Sequence, residues 1–89
     1  NKDQRVAAAL IYKTLLYIKE NYGKQPIAIL KTAALDNLFR NTLLELDYLE
    51  IVDVQALQPL DEVKDVPSAV ACIAVKTGGV RLIDNIILF

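Results

Sequence analysis

The chain has 89 residues, of which 54% are hydrophobic and 24% charged, the size and composition of one small globular unit rather than a disordered or fibrous segment. A formal net charge of -1 leaves no basic footprint for nucleic acid or for a polybasic membrane surface, so neither is expected as a partner. Histidine is absent and Cys72 is the single cysteine, which excludes from this chain Ser-His and Cys-His nucleophile pairs, His-ligated metals, cysteine-built zinc sites and an internal disulfide.

The longest apolar runs, Val6 to Tyr12 and Ala69 to Val75, are seven residues each, against the ~20 that a spanning helix needs. A lone cysteine fits a reducing compartment, and a cytoplasmic location is expected. The chain opens on Asn1 without a methionine or a signal-peptide layout and ends on Phe89 directly after an apolar stretch, the look of a fragment.

Asn1 and Gln4 have the spacing of a capping box and predict a helix start. Ala7, Ile11, Leu15, Ile18 and Tyr22 then recur at helical spacing, and Gly23 suits the left-handed residue just past the end. Leu10, Leu16 and Tyr17 fall outside that stripe, so the helix is expected to touch more than one neighbour. Pro26 suits the start of a second helix, with Ile27, Leu30, Ala34, Leu35 and Leu38 inward and an Asp36–Arg40 pair outward.

From Leu46 the period becomes two. Asp47 to Asp53 reads as a half-buried strand with Leu49 and Ile51 on one face and Tyr48, Glu50 and Val52 on the other. Val54 to Val66, with Pro59 and several acids, reads as a connection containing at most a short helical turn. Ala69 to Val75 reads as a strand apolar on both faces, and Gly78-Gly79 as the turn into a last strand, Val80 to Leu88. The expected fold is α+β: an N-terminal two-helix hairpin packed on a small, roughly three-stranded antiparallel sheet. Helices cover only one face, so a middle strand apolar on both sides points to a covering partner outside this chain.

The string DYLEIVDVQALQPL, followed after a gap by an apolar strand and then GGVRLIDNI, resembles the C-terminal domain of the pantothenate synthetases, the pantoate–β-alanine ligase family. The matching residues are Asp47, Tyr48, Leu49, Asp53 and Leu57, then Gly78, Arg81, Leu82, Asp84 and Asn85, and the opening is similar to the family's helix that starts on a Gln-Arg pair, here Gln4 and Arg5. The resemblance touches the start, middle and end of the chain. It implies an ATP- and Mg2+-dependent ligase that activates pantoate as a pantoyl adenylate and passes the pantoyl group to β-alanine, giving pantothenate and AMP.

In that family the chemistry lies in a larger N-terminal Rossmann-like domain with an HxGH-type motif, a lysine-containing nucleotide loop and a Ser-Ser-Arg-Asn segment. None of these occurs here, and no phosphate-cradling glycine motif does either. The resemblance therefore implies that residues 1–89 are a single C-terminal lid domain, inactive alone, with no catalytic, cofactor-binding or metal-ligating residue. Its implied partners are its own N-terminal catalytic domain, with pantoate, β-alanine and ATP at the full-length site, in a homodimeric parent.

The residues singled out for family-motif or interdomain roles are Arg81, Asp84, Asn85, Asp47, Tyr48 and Asp53. Arg81 could reach a phosphate or a partner domain, or pair within the sheet with Asp53, Glu50 or Asp84. Asp84 interrupts the Val80, Leu82, Ile86, Leu88 face, which predicts a bulge or local backbone hydrogen bonding by Asp84-Asn85. Glu50 and Asp53 lie on opposite faces by parity and make no paired-carboxylate site. Residues 1–45 carry a net +3 and residues 46–89 a net -4, but the basic side chains share no helical face and read as solvated surface. The rival reading is a free-standing protein-interaction module that uses the apolar sheet face.

Overall fold

A computed structural model describes residues 2–39, 44–62 and 66–89. Helix α1 (Lys2–Asn21) and helix α2 (Ile27–Phe39) precede four strands: β1 (Glu45–Asp53), β2 (Gln58–Pro59), β3 (Ala69–Thr77) and β4 (Val80–Ile87). The strands form one antiparallel sheet in the order β2-β1-β3-β4. The α+β class is as expected, but the sheet has four strands rather than three. The extra one, β2, lies inside the segment expected to be a connection. It is two residues long and carries Pro59, tolerated because β2 pairs on one side only.

Helix α1 ends as its sequence dictates. Tyr22 N–H donates to the Ile18 carbonyl at 2.9 Å, and Gly23 then turns left-handed at φ 87°. Helix α2 opens with Leu30 N–H donating to the Pro26 carbonyl at 2.9 Å, a position where proline's missing N–H leaves no bond unmade. Asn1 of the expected capping box and Arg40 of the expected Asp36–Arg40 pair lie outside the described residues.

The core is a single cluster. Ala7, Ile11, Leu15 and Ile18 of α1 and Ile27, Leu30, Ala34 and Leu38 of α2 bury against Leu49 and Ile51 of β1 and Ala69, Ala71, Ile73 and Val75 of β3. Helix α1 lies on α2, β3 and β4 at once, which is why its apolar surface is wider than one stripe. Thr14 is buried on that helix without penalty, because its hydroxyl donates to the Leu10 carbonyl at 2.8 Å.

Two turns set the sheet's geometry. Gly78 (φ 56°) and Gly79 (φ 79°) are both left-handed, as a two-residue type I′ hairpin requires, and the β3–β4 register runs unbroken from Thr77–Val80 to Val70–Ile87. Between β1 and β2, Asp53 accepts Gln55 and Ala56 N–H on Oδ1 at 3.0 and 3.3 Å, and its carbonyl accepts Leu57 N–H at 2.8 Å. This closes the chain at the cost of placing Leu57 left-handed, at φ 56°, with 77% of its surface exposed.

Two stability outcomes follow from this packing. Ile73→Ala removes the fully buried centre of β3 and is expected to lower the unfolding free energy by about 2–5 kcal/mol, read from the urea midpoint. Leu57→Gly is expected to raise it by about 0.5–1 kcal/mol, because the left-handed strain it relieves, about 1–2 kcal/mol, exceeds glycine's extra unfolded-chain entropy. A lower midpoint for that variant would contradict the strain assigned to Leu57.

Candidate functional site

Among the described residues the helices cover one face of the sheet and leave the other open. Strand parity and register put Tyr48, Glu50 and Val52 of β1, Val70, Cys72, Ala74 and Lys76 of β3, and Arg81, Ile83, Asn85 and Ile87 of β4 on the open side. Ile83 and Ile87 are 58% and 61% exposed, and Val52, Val70 and Cys72 are half-buried. The middle strand is thus apolar on both faces, as its sequence suggested, and apolar side chains remain in contact with solvent on the second. Burial pushes the Cys72 thiol above its ordinary pKa of 9.0, so it stays protonated at neutral pH.

One end of the open face is polar and organised. Arg81 Nη2 donates to Asp47 Oδ2 at 2.8 Å, and the Arg81 guanidinium carbon lies 5.8 Å from the centre of the Tyr48 ring. Asp47 and Arg81 stand on β1 and β4 with β3 between them, so the ion pair braces the sheet across its central strand. The crossing is open because β3 presents Ala74 opposite both Tyr48 and Ile83. Both side chains are partly exposed, Arg81 at 50% and Asp47 at 32%, so the pair orients the guanidinium more than it stabilises the fold, contributing at most about 1 kcal/mol.

This pairing corrects the partners expected for Arg81. Asp53, Glu50 and Asp84 are each occupied or placed elsewhere: Asp53 in its turn, Glu50 with Lys31 Nζ of α2 at 3.5 Å, and Asp84 on the opposite parity. Asp47 was hidden by parity, which would align it with Leu49 and Ile51 toward the helices. A β-bulge between Leu46 and Tyr48 resets the phase and delivers Asp47 to the open side. The irregularity expected at Asp84 therefore sits in β1. At Asp84 itself only the local hydrogen bond forms, with Oδ1 accepting Asn85 N–H at 2.8 Å.

Of the six singled-out residues, the fold brings Asp47, Tyr48 and Arg81 together, with Asn85 further along the same face. Asp53 serves the β1–β2 turn and Asp84 the backbone of β4. Sequence reasoning missed the outer side of α2, where Ala28, Ile29, Ala33 and Asp36 line a shallow groove and Ile29 is 56% exposed. The signal was legible, since a helix apolar all round asks for more than one covering surface.

None of this fits a nucleotide or a metal ion. Among the described residues no three His, Cys, Asp or Glu side chains come together, and Gly78-Gly79 leads into a strand rather than into a helix whose N-terminal amides could hold phosphate. Among the described residues no helix is long and apolar enough to cross a membrane.

The family model for pantoate-beta-alanine ligase matches residues 1–87. Pantothenate synthetase of Fervidobacterium nodosum is 33% identical over 90 aligned positions, covering 99% of this chain and 31% of that protein. A bifunctional pantoate ligase/cytidylate kinase of a Synechococcus species is 40% identical over 87 positions, 96% of this chain and 16% of its own. The crystal structure of pantothenate synthetase from Thermus thermophilus superimposes on all of this chain and 32% of its own with a TM-score of 0.83 at 29% identity. The chain thus spans about a third of the length of the pantothenate synthetases it matches, and by its fold and its match from end to end it belongs to the pantoate-beta-alanine ligase family.

Proposed function

We propose that this chain is the C-terminal lid domain of an ATP-dependent, AMP-forming pantoate–β-alanine ligase. The observation that carries the reading is the open apolar sheet face in a chain matching only 31% of a pantothenate synthetase relative: surface left for another part of the protein to cover. In this reading ATP, Mg2+, pantoate and β-alanine are held by a separate N-terminal catalytic domain, the parent is a cytoplasmic homodimer, and this domain alone is inactive.

The physical role of a lid follows from the chemistry. A pantoyl adenylate is a reactive acyl phosphate that water destroys, so its transfer to the amine of β-alanine needs a closed site. The residues of this chain bind no reacting atom. They supply a braced surface, with Arg81 fixed by Asp47 and Tyr48, that can meet the catalytic domain without reorganising.

AMP release is the direct test, with ATP, Mg2+, pantoate and β-alanine supplied to the whole protein, to the whole protein lacking this region, and to this chain alone. Removing the region is expected to lower the rate by about 100-fold or more, the scale of loss when a reacting pair is no longer held in place, and the isolated chain releases no AMP. A whole protein inactive with all three substrates would transfer the assignment to a protein-interaction module that uses the same sheet face.

Cys72 reports on docking. Alkylation at pH 7 is expected to be slow in the isolated chain, to accelerate as pH rises past 9.0, and to slow further in the whole protein as the sheet face is covered. Equal rates in the two proteins would move the docking surface to the outer side of α2.

A further inference from the structure

Among the described residues no strand pairs with the outer edge of β4, the strongest unexplained feature, and it stands independently of the lid reading. Strand β4 is last in the sheet order, and it is eight residues long, without proline and without a bulge against β3. A straight edge of this kind is a template for another strand.

Which groups it offers follows from the ladder. At the hairpin Thr77 opposes Val80 across the two-residue turn, and at the far end Leu88 N–H donates to the Ala69 carbonyl at 2.9 Å. Hydrogen-bonded and non-hydrogen-bonded pairs alternate between these points, so Leu82, Asp84 and Ile86 direct their backbone groups to β3. Arg81, Ile83, Asn85 and Ile87 direct theirs outward. These are also the residues whose side chains lie on the open face, so an added strand would extend that apolar surface.

Two features of Asp84 oppose such an addition. Its Oδ1 accepts Asn85 N–H at 2.8 Å, occupying one of the four outward amides from its own strand. Its position is the second. When two copies of β4 pair antiparallel about a two-fold axis, the register that matches all four outward residues sets Ile83 against Asn85 of the second copy and Arg81 against its Ile87. The axis then passes through Asp84. A residue on the axis opposes itself as a non-hydrogen-bonded pair with Cα atoms about 4.5 Å apart, so full pairing forces two carboxylates together, a directly opposed like-charge pair.

We propose that Asp84 guards the free edge of β4 against pairing with the same edge of a second copy of the chain. The partner it excludes is an identical β4 strand, and the guard works by covering the Asn85 amide and by self-repulsion on the two-fold axis.

Sedimentation of the protein that carries this chain tests the proposal. Asp84→Val, which removes both features and favours a strand, is expected at least to double the sedimenting mass relative to the unsubstituted protein at equal concentration. Asp84→Lys, which restores like charge on the axis, keeps the unsubstituted mass. Adding Asn85→Pro to Asp84→Val deletes an outward N–H without touching the β3 ladder and returns the mass to that of the unsubstituted protein. An unchanged mass for Asp84→Val overturns the proposal. So does a gain that Asn85→Pro leaves in place, which would mean assembly by misfolding or by another surface.

Discussion

Everything in this fold rests on the seating of α1 against β3. Ile11, Leu15 and Ile18 lie fully buried against a strand whose helix-facing residues, Ala69, Ala71, Ile73 and Val75, are equally buried. Small residues on β3 let the helix come close, and large ones on α1 fill the space, which is how a chain this short obtains one continuous core. Helix α2 and strand β1 complete the cluster from either side. The hairpin turns then have only to bring β1 and β4 to the two flanks of β3.

The same economy explains the open face. A strand flanked on both sides and covered by a helix on one surface has its fourth side left, and here that side carries Val70, Cys72 and Ala74, with Lys76 next to the hairpin. Among the polar groups on that face, Arg81 is tied to Asp47 and lies near Tyr48 at one end, while Glu50 and Asn85 flank Cys72 further along. Such an arrangement sets oriented polar groups beside apolar side chains, a mixture found on surfaces that meet a partner.

Much of this was legible in the sequence, for identifiable reasons. The α1 stripe and its Gly23 stop, the Pro26 start of α2, the Gly78-Gly79 hairpin and the alternation of Leu49 and Ile51 are local signals, each read from residues within one element. What escaped is non-local. The β2 strand has only two residues, and it exists because Asp53 closes a turn that lays Pro59 beside Val52. The Arg81–Asp47 pair depends on a bulge that reverses the parity of one residue, and no period-two reading can anticipate where a strand gains an extra residue. The family-motif residues therefore separated into different duties, Asp53 and Asp84 holding backbone, Asp47 and Arg81 shaping the open face.

The length of α1 has a mechanical meaning. Its 20 residues make a rod about 30 Å long, and the core is riveted along most of it, from Ala7 to Ile18. A rod fixed to its cargo acts as a lever arm. Turning its first turn by about 10° sweeps the far end, with Gly23 and the start of α2, through about 5 Å, close to a full helical pitch. A change of angle at Lys2 to Arg5 would therefore be multiplied along the helix into a displacement of several ångströms at the opposite end of the domain.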